Sequence, residues 1–289
     1  MTRTMTGQSQ SNDASALTAS QRYHLEVYGY VVLEHTLDND LTTRLRDALL
    51  GLKQEFLAQP DLDSACVRRC RLHKGGHPHH LHFSHILESD PAFLEYLSHP
   101  GILPLAEELV GGSVRLEESE AIVNSRDPAE PPQDPPRYGF HRGTEHGVGT
   151  YEENGLLHSN FVKVLTNLTD LGPDDGGTTV IAGSHKLKLP AEEMIAAAYE
   201  NPALIHQVEA PAGSSLLFAE SLIHASGILR SDRERCIIIG GYTPPMFKVW
   251  PGQEPSDEFV ASLPEEVRPL ISGSESWNWR RKCRSDLKG

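Results

Sequence analysis

The strongest constraint on this chain is the order of its patterns. Helical periodicity comes first and strand-like runs come later, without strand–helix–strand alternation. A parallel sheet needs a crossover between successive strands, so the pattern excludes a doubly wound or (β/α) barrel fold and places the chain in the α+β class. Residues 18–28 (TASQRYHLEVY) predict a short helix capped by Thr18 or Ser20. Gly29 stops it, and 30–34 (YVVLE) is a β-branched, strand-like run. Asp38 or Asn39 caps a second helix over roughly 40–58, with Leu41, Leu45, Leu49 and Leu52 on one face. Residues 91–110 predict two short helices broken at Pro100. After these, 113–124 predicts a strand pair, and the five prolines of 125–137 demand an exposed loop. Runs at 156–168, 178–182, 204–209, 214–219 and 235–243 predict short strands of a β-sandwich or jelly roll. We expect a disordered leader over 1–17, one domain over 18–250 and a C-terminal extension over 251–289 with a basic end, WNWRRKCR.

Charge narrows the partners. Twenty-six Lys and Arg against 40 Asp and Glu leave a formal charge of −14. Such a chain is a poor match for a nucleic-acid polymer or an anionic membrane surface. It also disfavours docking to an acidic carrier protein, without excluding it, since a local basic patch would suffice. A small-molecule substrate is the expected partner. No apolar run reaches the ~20 residues of a membrane span, and the N-terminus has no apolar signal core. We therefore expect a cytoplasmic protein with reduced thiols at Cys66, Cys70, Cys236 and Cys283; Cys66 and Cys70 lack the C-x-x-C spacing.

Fifteen histidines stand out, because histidine is both a metal ligand and a neutral-pH acid or base. His141 (YGFHRG) and His224 (LIHASG) each lie beside a strand-like run and small residues. Singly, each is an ordinary histidine. Arg235 follows His224 by 11 residues across a turn, LRSDRE. That spacing predicts a hairpin with His on one strand and Arg on the next, both facing one pocket. An Arg held there suits a bidentate carboxylate contact.

Three segments together resemble the phytanoyl-CoA dioxygenase superfamily of non-haem Fe(II)/2-oxoglutarate enzymes. The opening QRYHLEVYGYVVLEHTLDND is similar to the family's N-terminal pattern. DDGGTTVIAGSHK (174–186) is similar to its Gly-Ser-His signature, with Ala182 where Pro is usual. HASGILRSDRERCIIIGGY (224–242) is similar to its distal motif. The resemblance implies a double-stranded β-helix, a cupin-like jelly roll, with N-terminal helices packed on the major sheet. It implies Fe(2+), 2-oxoglutarate and O2 as cofactor and cosubstrates. His224 then binds iron, and Ser226 and Arg235 hold the cosubstrate's distal carboxylate. Asn124 and Thr166 occupy strand positions where the family places cosubstrate contacts. His185 is a structural part of the signature.

The family's second iron motif is His-x-Asp, and position points to His141-Arg142-Gly143. Glycine stands where the facial-triad carboxylate belongs. Three readings are open. In related halogenases a small residue leaves room for halide on the iron, which implies chlorination of an sp3 carbon with chloride as cosubstrate and Gly143 as the halide site. The small molecule would then be a biosynthetic metabolite, a nucleotide or an amino-acid-like compound. Alternatively Glu145, Glu152 or Glu153 supplies the third ligand and the enzyme is a hydroxylase. Or the site is degenerate and the protein only binds. His158, in the near-miss His-Ser-Asn, is an alternative pocket residue, as is Arg142.

Residues 73–85 hold six histidines, at 73, 77, 79, 80, 82 and 85, among Gly75, Gly76 and Pro78. We expect a mobile lid or substrate-contacting loop there, with His73 and Arg71 as candidate substrate contacts. Arg68, Arg69, Arg71 and Lys74 form a basic island that could receive a phosphate.

Overall fold

A computed structural model describes residues 16–274 except 74, 75 and 133. Most of the leader, the basic end WNWRRKCR, Lys74 and Cys283 lie outside the described residues. Leu17, at the end of the expected leader, is buried in the core.

Helix α1 (Ala19–Tyr28) is capped by Thr18 through a reciprocal capping box with Gln21, and Gly29 ends it at φ 87°. Strand β1 (Tyr30–Leu33) follows, then α2 (Asn39–Leu57), whose N-cap is Asp38. The next elements are β2 (Cys66–Val67), β3 (Cys70–Leu72), β4 (His80–Ser84), α3 (Pro91–Leu97), α4 (Leu103–Val110) and β5 (Arg115–Asn124). They are followed by α5 (His146–Gly149), β6 (Thr150–Glu153), β7 (Leu156–Ser159), β8 (Val162–Asn167), β9 (Thr179–Ile181) and α6 (Ala191–Glu200). The last are β10 (Ile205–Gln207), β11 (Ser215–Ala219), β12 (His224–Ala225), β13 (Arg235–Thr243), α7 (Asp257–Ser262) and α8 (Arg268–Ser272).

Among the described residues, eight strands form one antiparallel sheet in the order β1-β11-β8-β13-β5-β4-β3-β2. Three more, β10-β9-β12, form a smaller sheet facing it, and β6-β7 make a separate pair. This is the jelly roll. Side chains alternate across the major sheet. On β13, Cys236 and Ile238 join the helix-covered core, where Leu45, Leu49, Leu52 and Phe56 of α2 are essentially unexposed. Ile237 and Ile239 face the other way, into the interior between the sheets with Ile122, Leu165, Phe218 and Val180.

Several expectations need correcting. Residues 115–124 are one strand rather than a pair. The second half of the His-rich tract is a strand rather than a mobile loop. Its residues 80–84 are β4, in register with β5, because Leu81 and Phe83 have a core face to fill. The expected hairpin between His224 and Arg235 does not form, since β12 pairs with β9 in the small sheet and β13 pairs with β5 and β8 in the large one. Helix α6, which the alanine-rich AEEMIAAAYE favours, escaped the strand-dominated reading. Residues 257–272, in the expected extension, pack on the domain: Leu263, Leu270 and Ile271 are buried in its core, and Arg115 donates to the Ile271 carbonyl at 2.9 Å. Among the described residues no helix is long and apolar enough to cross a membrane.

Candidate active site

A cavity of about 550 Å³ opens between the two sheets. His141 and His224 enter it from the small-sheet side, paired by a two-way backbone bridge of 3.0 and 2.9 Å. Their rings lie 4.4 Å apart, centroid to centroid. Nδ1 of His224 is 2.9 Å from the Leu222 carbonyl, and Nδ1 of His141 is 3.1 Å from that of Gly139. A carbonyl only accepts, so both Nδ1 atoms carry the proton and both Nε2 lone pairs are left for another partner. Burial, reinforced by His141, pushes His224 down to about 3 and keeps it neutral.

Arg235 closes the cavity from the large sheet. It is 2% exposed and makes one side-chain hydrogen bond, to Thr178 Oγ1 at 3.1 Å. Its Nε and Nη1 have no partner, and burial pulls the guanidinium down to about 10. Asn124 is its direct cross-strand neighbour, and the Oδ1 of Asn124 is also unpartnered. Ser226 lines the same cavity. A buried cation with two idle donors is a receptor for an anion of planar, bidentate shape.

The glycine at 143 is explained by the residue its backbone N–H meets, Glu220. Gly143 and Thr144 donate backbone N–H bonds to the Glu220 carbonyl at 3.0 and 3.3 Å. A Cβ built on Gly143 would overlap Glu220 Oε2 and stand 2.6 Å from its Cδ. The volume that a side chain at 143 would take is therefore filled by the carboxylate of Glu220. That residue is 8% exposed, and burial raises its carboxyl to about 7 against the opposing pull of Lys163. Among the described residues, no three His, Cys, Asp or Glu side chains are already gathered as a metal site. Two histidines and the Glu220 carboxyl line the same cavity.

Lys163 is the hub of the remaining charge. It pairs with Glu118 and lies 3.9 Å from Glu117 and 3.8 Å from Glu220. Burial opposes its charge, but Glu118, Glu220 and Glu117 prevail and hold its ammonium above its ordinary value. His82 contacts Glu120 at 2.7 Å. Phe161 and Trp250 stack at the mouth, 6.1 Å between centroids.

Not every candidate reaches the cavity. Thr166 points to the helix side, bonded to Tyr96 and Ser215, because alternation on β8 gives the cavity face to Lys163 and Leu165. His158 is wholly buried on β7, stacked on Tyr151, with burial and then Arg22 pushing it down to about 4. Arg142 pairs with Glu145 outside the cavity wall. Glu145, Glu152 and Glu153 do not line the cavity. Arg71 is exposed on β3 and also outside it, whereas His73, His80 and His82 do line it. The basic island is already neutralised in part: Arg68 pairs with Glu55, and Arg69 lies 3.2 Å from Glu88. Glu220, Lys163, Glu117, Glu118, Glu120 and Trp250 were missed. Glu220 sits four residues before His224, but only the bridge at His141 shows that it opposes Gly143.

A jelly roll with two histidines, a buried unpaired arginine and a deep cavity between its sheets defines the double-stranded β-helix class. The sequence model of the phytanoyl-CoA dioxygenase family matches residues 25–237, and the chain belongs to that family. It is 25% identical to an L-proline trans-4-hydroxylase of Streptomyces griseoviridis over 259 residues, covering 80% of this chain and 88% of the relative. Its fold is similar to HygX of Streptomyces hygroscopicus, solved with nickel and 2-oxoglutarate (TM-score 0.64, 20% identity, 81% of this chain and 90% of that one). It is likewise similar to EctD of S. alaskensis, solved with 2-oxoglutarate and 5-hydroxyectoine (TM-score 0.61, 20% identity, 94% and 89%).

Proposed function

We propose that the protein is an Fe(II)/2-oxoglutarate-dependent oxygenase that hydroxylates a small molecule, with Glu220 replacing the carboxylate missing at 143. One observation carries this reading: the Glu220 carboxylate fills the space beside Gly143. The other residues fit the group. The free Nε2 atoms of His141 and His224 suit a metal ion, and the idle donors of Arg235 suit the distal carboxylate of 2-oxoglutarate, with Ser226 and Asn124 beside it. Iron(II), with 2-oxoglutarate and dioxygen, supplies the oxidation of a carbon–hydrogen bond when bound. The chain's own part is positional. The backbone carbonyls of Leu222 and Gly139 fix the histidine tautomers. Arg235 anchors and neutralises the cosubstrate, and the apolar wall of Ile122, Leu165 and Ile237 excludes water. The family's proline hydroxylase relative supports the same reaction type.

Chlorination is the second reading, and Gly143 is the observation that favours it. It requires Glu220 to swing away and yield its place to chloride. Anaerobic titration separates the two. With Fe(II) and 2-oxoglutarate, the charge-transfer absorption of the wild type should be indifferent to chloride, and Glu220→Ala should bind iron about tenfold more weakly, as loss of one charged ligand contact would give. A chloride-sensitive wild-type band, with iron affinity unchanged in Glu220→Ala, would establish the halide site instead. Absence of any band would leave only a binding protein.

A further inference from the structure

The cavity gathers acidic side chains at one end. Four carboxylates line it, Glu117, Glu118, Glu120 and Glu220, against two fixed cations, Lys163 and Arg235. Arg235 lies at the opposite end and is committed to the cosubstrate in the reading above. Lys163 alone serves Glu117, Glu118 and Glu220.

Glu117 is the revealing member. Alternation along β5 would give Glu118, Glu120 and Ile122 to the cavity and turn Glu117 to the helix side. The pairing with β13 slips at this point: Gly241 opposes Glu118, Tyr242 opposes Leu116, and Glu117 has no partner. This β-bulge re-aims the side chain, so Glu117 and Glu118 both line the cavity. Glu117 is 2% exposed, and its Oε2 has no hydrogen-bond partner. The nearest cation to that oxygen is Lys163 at 3.9 Å, beyond hydrogen-bond reach, and burial raises the carboxyl to about 8, so a cation arriving beside it would restore its ionised form. Trp250 lies beside the Glu117 side chain and stacks on Phe161 at the cavity mouth. Acidic oxygens beneath aromatic faces are a combination that attracts cations.

We propose that the substrate is an amine, whose ammonium group docks on Glu117 and Glu118 beneath the Phe161–Trp250 pair. This rests on the oxygenase reading for what happens next, but not for binding. The ammonium supplies the charge that Lys163 cannot provide to three carboxylates. It also fixes one end of the substrate, so that the far end points toward His141 and His224.

The test uses three probes of equal carbon chain and different charge: 1,6-diaminohexane, 1,6-hexanediol and adipate. Binding to the full-length protein is read from line broadening of the probe's methylene protons, with 2-oxoglutarate present to occupy Arg235. The diamine should bind, and the diol and adipate should not. Glu117→Gln keeps the shape and should weaken the diamine about tenfold, the scale of one charged hydrogen bond. Trp250→Leu, at the half-exposed mouth where folding is not at stake, should weaken it two- to fivefold. Equal binding of diol or adipate, or wild-type affinity in a folded Glu117→Gln, overturns the amine site. The 2-oxoglutarate signals in the same spectra report separately. If they show no binding while the diamine still binds, the oxygenase reading fails and the amine site stands.

Discussion

Arg235 makes an unusual prediction possible, because its removal should stabilise the empty protein. The guanidinium is 2% exposed, forms no ion pair among the described residues, and leaves Nε and Nη1 without partners. Burial pulls its pKa well below the ordinary arginine value, to about 10. A fall of that size corresponds to about 3 kcal/mol held against the charged form. At pH 7 the group is protonated in both the folded and the unfolded chain, so the cost is paid throughout the neutral range. Arg235→Met removes the charge and keeps an unbranched apolar stem. It forfeits the 3.1 Å bond to Thr178, worth about 1 kcal/mol. The net gain is about 2 kcal/mol, or roughly 4–8 °C in Tm for a domain of this size. The wild type should recover the difference when 2-oxoglutarate binds, since a ligand at 100 times its Kd contributes about 2.7 kcal/mol. Differential scanning calorimetry with and without 2-oxoglutarate, anaerobically with Fe(II), reads both effects. The variant should melt higher alone and show no 2-oxoglutarate shift. A lower Tm without 2-oxoglutarate, or a shift that survives the substitution, would refute the assignment of Arg235 as an anion receptor held at a stability cost.

Three further outcomes are expected. His158 and His185 are buried, and burial first, with Arg22 and Lys186 respectively, holds each at about 4. Against an unfolded value near 6.5, the unfolded chain binds more protons between these limits. Stability is therefore full above about pH 6.5 and falls as pH drops toward 4, by up to about 3 kcal/mol per histidine. Urea unfolding at pH 7.5 and 5.0 checks this, and His158→Phe should lose about half of the difference. Leu49, on α2 and without exposure, should cost about 2–5 kcal/mol as Leu49→Ala, measured by the same unfolding curves with m unchanged. Cys66 is exposed, whereas Cys70 and Cys236 are buried with thiols raised by burial. Cys66→Ser should remove one fast-labelling equivalent from a thiol-reagent assay, and Cys70→Ser should remove none before unfolding.

The fold was legible where local signals were strong. Thr18, Gly29 and Asp38 cap the helices as their side chains and backbone freedom dictate, and the leucines of α2 fall on the buried face. The jelly roll followed from the spacing of strand-like runs. What failed was pairing. Whether His224 neighbours Arg235 through a hairpin or faces it across a sandwich depends on which sheet β12 joins, and a two-residue strand carries no such information. The same limit hid Glu220. Its opposition to Gly143 comes from one isolated bridge between segments 83 residues apart in sequence. Thr166 was misassigned by one step of alternation, and Glu117 was concealed by the bulge that reverses it.

The bridge between His141 and His224 also sets the site apart from the main core. Each histidine belongs to a short segment that the small sheet holds, while the apolar core that carries the fold lies mostly on the far side of the large sheet, under the helices. Substitutions in the mouth can therefore empty the site and leave the helix-covered body standing, so a damaged site and a damaged fold are separable lesions in this protein.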